Sequence, residues 1–205
     1  LDPVVNVFLD QEVIYTRSTG PFDSLQAVME RAAAGRGRWG AATPGSLERQ
    51  ALERLKVVAD VPARIVSHDG GGDLILNVLN GTLDIGVGEA QEIRSQLDAG
   101  SLRILAVFSE TRLPGLEAYP TVTELGYDVA VTKFRGLMAP KNLPGEIVEA
   151  WERGVSQVLE LDAYRDVYSS QMLAPAFMGQ SEFTEFLDTF VGQTSTFLRD
   201  SGVID

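Results

Sequence analysis

The feature that most restricts this chain is a repeated change of period. Short β-branched runs each lead into a polar or glycine-rich turn and then into an amphipathic stretch with apolar residues at steps of three and four. That alternation predicts an α/β protein of parallel βα units and argues against a helical bundle or an all-β sandwich. Strands are expected at residues 4–9, 12–16, 38–41, 63–68, 82–87, 103–108, 129–134, 136–139 and 174–178. Helices are expected at 24–33, 46–58, 73–79, 91–99, 145–161, 163–171 and 181–201.

The last helix has the clearest apolar stripe, with Phe183, Phe186, Leu187, Phe190, Val191, Phe197 and Leu198 on one side. Ile147, Val148, Trp151, Val155, Val158 and Leu159 form a second stripe behind Pro144, which suits a first helical turn. Residues from about 13 to 125 hold four strand–helix units and read as one small doubly wound domain. From about residue 135 onward there are three helices but only one or two strands, too little sheet to cover two apolar helix faces.

Charge narrows the partners. Seventeen Lys and Arg against 29 Asp and Glu leave a net charge of −12, which repels nucleic-acid backbones and anionic membrane surfaces; no nucleic-acid partner is expected. With no cysteine, disulfides and thiolate chemistry are excluded, while the compartment stays open. No run approaches the roughly 20 apolar residues that span a bilayer, so no direct membrane insertion is expected. The start, Leu1-Asp2-Pro3-Val4, has neither an initiator Met nor a signal-peptide pattern, and the chain is expected to be processed or a piece of something longer.

Ligands of parallel sheets bind at the carboxyl ends of strands, where helix N-termini present free N–H groups. Three such ends are polar here. Thr43, Gly45 and Ser46 form one, with Ser46 suited to cap the helix it opens and Glu48 to its first turn. Ser67, His68, Asp69, Gly70, Gly71, Gly72 and Asp73 form the second, where consecutive glycines let backbone amides approach an anion. Gly88 and Glu89 belong to the third. Each is also compatible with an ordinary βα turn.

Ser67, His68 and Asp69 are not a catalytic triad, because neighbours on an extended chain point to opposite faces. His68 is the only histidine, which leaves a zinc site without partners; no metal is expected. Neither G-x-G-x-x-G nor G-x-x-x-x-G-K-[ST] opens a βα unit, so no cofactor and no catalytic residue are expected. The residues suit holding a small polar molecule without transforming it.

Several blocks, in order, resemble one family. They are Trp39-Gly40-Ala41-Ala42-Thr43-Pro44-Gly45, Gly70-Gly71-Gly72, Asn80-Gly81-Thr82-Leu83-Asp84-Ile85-Gly86-Val87, Ala99-Gly100-Ser101-Leu102-Arg103-Ile104-Leu105-Ala106-Val107, Tyr119-Pro120-Thr121-Val122-Thr123-Glu124-Leu125-Gly126 and Phe134-Arg135-Gly136-Leu137-Met138-Ala139-Pro140. This set is similar to the substrate-binding proteins of tripartite tricarboxylate transporters, the Bug or TctC-like family, over essentially the whole chain.

The resemblance implies an α/β type II periplasmic-binding-protein-like fold with a doubly wound sheet and two lobes, the first incomplete. Residues 1–12 would be a remnant of the first lobe and a crossing, 13–132 the second lobe, and 133–205 the return crossing and C-terminal helical part of the first. It implies a periplasmic or extracytoplasmic, non-enzymatic receptor that captures a small organic acid, a di- or tricarboxylate or related, and delivers it to membrane transporter subunits. Phe134 and Arg135 are then expected at the ligand, or Arg135 pairs with an acidic neighbour and sets a hinge. Glu48 and Glu89 depart from the family pattern and add negative charge near the expected cleft, which keeps a neutral or amine-bearing ligand open. The alternative function is the ligand-sensing effector domain of a regulatory protein with the same two-lobe topology.

Overall fold

Strand direction, which periodicity does not encode, is where the architecture first departs from expectation. The computed structural model describes all 205 residues, Leu1–Asp205, with no cis peptide bonds. The chain divides into one unit made of Leu1–Asp10 with Lys133–Asp205 and a second made of Gln11–Thr132.

The second unit holds a five-stranded sheet in the order β4-β3-β5-β2-β6. Its elements are β2 (Glu12–Arg17), α1 (Leu25–Ala33), β3 (Arg38–Ala41), α2 (Leu47–Val58), β4 (Arg64–Ser67), α3 (Gly71–Leu79), β5 (Ile85–Glu89), α4 (Arg94–Asp98) and β6 (Leu102–Val107). β3 is parallel to β4 and β5, as the βα alternation predicts. β2 instead runs antiparallel to both β5 and β6 and lies between them. The right-handed βαβ rule governs strands joined through a helix. β2 follows the preceding strand β1 (Asp2–Leu9) directly, with no helix between, so that rule leaves its direction free.

Local sequence explains the helices. Ser24 accepts from Ala27 N at 3.3 Å and Ser46 from Arg49 N at 3.2 Å, each capping a helix that begins one residue after the expected start. Along α1, Leu25, Val28, Met29 and Ala32 are buried at the helical spacing, and along α2, Ala51, Leu52 and Leu55. They close on Trp39, Ile14, Ile85, Val87 and Phe108 to form the unit's core.

Three expected elements change. β5 starts at Ile85 rather than 82, because Thr82 N is engaged by the Asn80 side chain at 2.8 Å and the Asp84 carboxylate by Arg38 N at 2.8 Å. α4 is confined to Arg94–Asp98. Residues 129–133 carry buried Val129 and Val131 but belong to no strand. Alternation there signalled burial, while Val131 N meets Phe108 O at 3.2 Å without extending a ladder.

In the first unit β1 is the central strand of β7-β1-β8, antiparallel to β7 (Phe134–Ala139) and to β8 (Ala174–Met178). The helices are α5 (Gly145–Glu160), α6 (Asp162–Ser170) and α7 (Gln180–Asp200). The α7 stripe finds its sheet through Phe134, whose ring meets Phe183, Phe186 and Phe190 edge-on at 5.6, 5.2 and 5.2 Å. Phe8 packs on Tyr164 and Tyr168. Of the α5 stripe only Val148 and Leu159 are buried, and Trp151 stays 51% exposed.

Phe183 has no solvent exposure, so Phe183→Ala should cost about 3–5 kcal/mol, the range for deleting a buried aromatic ring. Urea unfolding of the two chains measures the difference.

Candidate functional site

β4, β3 and β5 are adjacent and parallel, so the segments that follow them emerge side by side at one edge of the sheet. Thr43, Gly45 and Ser46 lie in the β3–α2 loop, where Ser46 N bonds Thr43 O at 3.0 Å and the Ser46 hydroxyl caps α2. Ser67 ends β4, and its hydroxyl accepts from Arg49 Nη1 at 3.2 Å. His68 N donates to Ala41 O at 3.0 Å, which ties the second loop to the first, and its ring Nε2 is buried with no hydrogen-bond partner.

Asp69 is exposed, Gly70 is the N-cap of α3, and the helix begins at Gly71, two residues before the expected Asp73. A methyl group built on Gly70 or on Gly72 meets open space. Gly88 and Glu89 are the last residues of β5 and are buried. Six loop residues, two strand ends and the first turn of α3 therefore share one edge of this unit.

Behind those loops stand the two acids that sequence reasoning singled out, Glu48 and Glu89, together with two that it missed, Glu12 and Glu92. Glu12 opens β2 directly opposite Glu89 in the β2–β5 ladder. Glu48, in the first turn of α2, completes a trio whose carboxylate oxygens lie within 4.8 Å of one another. The residues are only 0, 9 and 7% exposed for Glu12, Glu48 and Glu89. Two carboxylates at about 4 Å repel by on the order of 1–4 kcal/mol, depending on the effective dielectric. The trio is donor chemistry suited to an ammonium group or a hard cation. Helix capping at this turn belongs to Ser46, and the Glu48 carboxylate is part of the trio.

Glu92 is a fourth carboxylate. Its Oε2 lies 2.9 Å from where a Cβ on Gly71 would sit and 3.3 Å from the same position on Gly88. These glycines bring the α3 loop and β5 onto one side chain. Tyr15, 1% exposed, packs its ring on Gly86, where a Cβ would fall 2.5 Å from Cζ. Burial pushes the Tyr15 phenol well above its ordinary range, and Glu92, Glu12, Glu48 and Glu89 push it further the same way. An acidic residue opening the otherwise apolar run Val13-Ile14-Tyr15 was the available signal for Glu12.

The remaining expected residues, Phe134 and Arg135, lie on β7 in the first unit. The Phe134 ring is engaged by the α7 phenylalanines. Arg135 donates from Nε to Asp10 Oδ2 at 2.7 Å, and its Nη2 lies 2.5 Å from the same oxygen. Asp10 is 1% exposed, so the acidic neighbour expected for Arg135 is present.

The fold is that of the periplasmic binding proteins: the structure of periplasmic binding protein BugD aligns with TM-score 0.80 and 18% identity over 98% of this chain and 69% of its own. Residues 1–203 match the tripartite tricarboxylate transporter family receptor (TctC), and the chain belongs to that family. Protein BugT of Bordetella pertussis is 23% identical over 208 residues, which cover 98% of this chain and 64% of BugT. This chain thus spans about two thirds of that relative's length. Among solved structures, a TctC solute binding protein from Polaromonas without ligand aligns with TM-score 0.80 and 23% identity over 97% of this chain and 69% of its own. R. palustris Rpa4515 with adipate aligns with TM-score 0.84 and 20% identity over 98% and 68%. Both share the fold. No helix is long and apolar enough to cross a membrane.

The Tyr15 environment sets an alkaline limit. Above about pH 10 an unfolded chain releases the phenol proton while the folded chain keeps it, so the unfolded state binds fewer protons and stability falls as pH rises. The Tyr15 share of that slope is about 1.4 kcal/mol per pH unit. Tyr15→Phe should leave the urea midpoint at neutral pH nearly unchanged and flatten its decline above about pH 10.

Proposed function

We propose that this chain acts as an extracytoplasmic, periplasmic solute-binding receptor of a tripartite tricarboxylate-type transporter, capturing a small organic acid and presenting it to the membrane subunits. The match to the receptor family over residues 1–203 carries the reading. In it, residues 13–132 form the second lobe, 1–12 the first-lobe remnant and crossing, and 133–205 the return crossing and the C-terminal helical part of the first lobe. The receptor binds without transforming its ligand.

The strand-end loops support this reading physically. Gly70 and Gly72 leave the start of α3 sterically open, and unpaired amides at the starts of α2 and α3 suit a carboxylate. Thr43, Gly45, Ser46, Ser67 and His68 supply hydroxyl, amide and imidazole groups on the same edge. Asp69, Asp73, Gly71, Gly88 and Glu89 complete the proposed second-lobe contacts, and Phe134 and Arg135 are those proposed from the return crossing.

A second reading concerns the solute's charge. Glu12, Glu48 and Glu89, within 4.8 Å of one another, favour a ligand that carries an ammonium group in addition to, or in place of, its acid. A plain dicarboxylate placed close to this trio meets repulsion, whereas an amine is attracted to it.

Thermal unfolding separates these readings. A ligand at about 100 times its dissociation constant adds roughly 2.7 kcal/mol of stability. The receptor reading therefore expects a saturable rise in melting temperature with at least one of a set of C4–C6 dicarboxylates, α-amino dicarboxylates and diamines. A flat response to all of them would sink it. Glu48→Gln sorts the charge: it should tighten a plain dicarboxylate and weaken an amine-bearing solute, each by on the order of 1 kcal/mol or more.

A further inference from the structure

The second unit also carries a small cavity of about 70 Å³, lined in part by Thr16, Arg17, Phe22, Arg31, Arg38 and Asp84. These residues come from the end of β2, the β2–α1 connection, α1, the start of β3 and the segment before β5. The cavity lies at the amino end of the parallel strands β3 and β5, away from the strand-end loops described above. We infer that it is a binding site for a small tetrahedral dianion, phosphate or sulfate.

Charge is the first argument. In a chain of net charge −12, three guanidinium groups line one cavity with a single carboxylate. Asp84, 6% exposed, is used up in positioning two of them. Its Oδ2 accepts from Arg38 N at 2.8 Å, and its Oδ1 lies 3.1 Å from Arg31 Nε and 3.5 Å from Arg38 Nη2. Two positive charges remain in excess, the complement of a dianion.

The second argument is that the site is built. Asp84 is fixed by two further contacts: Thr16 Oγ1 donates to its carbonyl at 2.8 Å, and its N–H donates to Arg38 O at 2.8 Å. Arg31 is held from the other side over the Phe22 ring, 5.8 Å from the centroid.

Arg17 makes no ion pair, yet it is not loose. Its guanidinium lies where the Cβ of Gly81 would be, 2.0 Å from Nη1, and its stem lies 2.9 Å from the Cβ position of Gly20. Gly81 has φ +80, a conformation glycine adopts freely. Two glycines therefore form a slot for an arginine with no acidic partner, beside two arginines oriented by a buried aspartate.

Donor geometry selects the ligand. Planar guanidinium forks approaching from separate segments suit an anion with several oxygens. Occupancy would link β2, α1, β3 and the segment before β5, and so tie the stability of this unit to the anion.

The test is calorimetric titration of the 205-residue chain with sodium phosphate and, separately, sodium sulfate, at an ionic strength held constant with chloride. Saturable binding is expected, weakened at least about tenfold by Arg17→Gln and changed less than about twofold by Arg199→Gln, which removes the same charge from α7. A parallel measurement needs no variant: phosphate should slow phenylglyoxal modification of Arg17 at least about tenfold and leave Arg199 unaffected. Absence of saturable binding up to about 10 mM of either anion would overturn the site, since that corresponds to affinity weaker than a single good contact provides. Equal weakening by the two substitutions, or unprotected Arg17, would overturn it as well.

Discussion

Strand β2 can lie inside its sheet, between β5 and β6, because β5 carries glycine at alternate positions. Across the β2–β5 ladder, Tyr15 faces Gly86 and Val13 faces Gly88, and the Tyr15 ring occupies the volume that a Cβ on Gly86 would need. This close approach buries the phenol, draws β5 against β2, and brings Glu12 opposite Glu89. The two ends of β2 then differ in charge. Its first residue joins the carboxylate trio, and its last two residues, Thr16 and Arg17, line the arginine cavity. Six residues at roughly 3.3 Å each separate an acidic end from a basic one by less than about 20 Å.

The carboxylate trio sets the charge at the edge where the strand-end loops emerge. Buried charges are costly unless something compensates them, and here three acids are gathered behind the strand-end loops. Such a cluster sets the local potential more strongly than helix N-termini alone, because amides and helix dipoles contribute smaller, shorter-ranged fields than full charges do. Glu92, close to both Gly71 and Gly88, adds to that field from the third strand end.

In the first unit the corresponding constraint is the buried Asp10. It continues β1, its N–H bonds Lys133 O at 3.0 Å, and its carboxylate takes Arg135 from the neighbouring strand. Register places Leu9 against Phe134 and Phe8 against Arg135, so the strand that delivers an arginine to Asp10 also delivers an aromatic ring to α7. Arg135 and Phe134 thus do structural work in β7 whatever else they contact.

What the amino-acid sequence determined by itself is what local physics encodes. The Ser46 cap, the apolar stripe of α7, the helix ranges of α1 and α2, and the glycine punctuation after β3 and β4 were legible as elements and loops, and the ordered family blocks identified the fold. What only the tertiary structure decided depends on residues far apart in the chain. The direction of β2, the absence of a strand at 129–133, the meeting of Glu12, Glu48 and Glu89, and the gathering of Arg17, Arg31 and Arg38 around Asp84 all follow from strand order and register. Periodicity reports whether a side chain is buried. It does not report which neighbour it is buried against, because pairing is set by long-range packing that no local window contains.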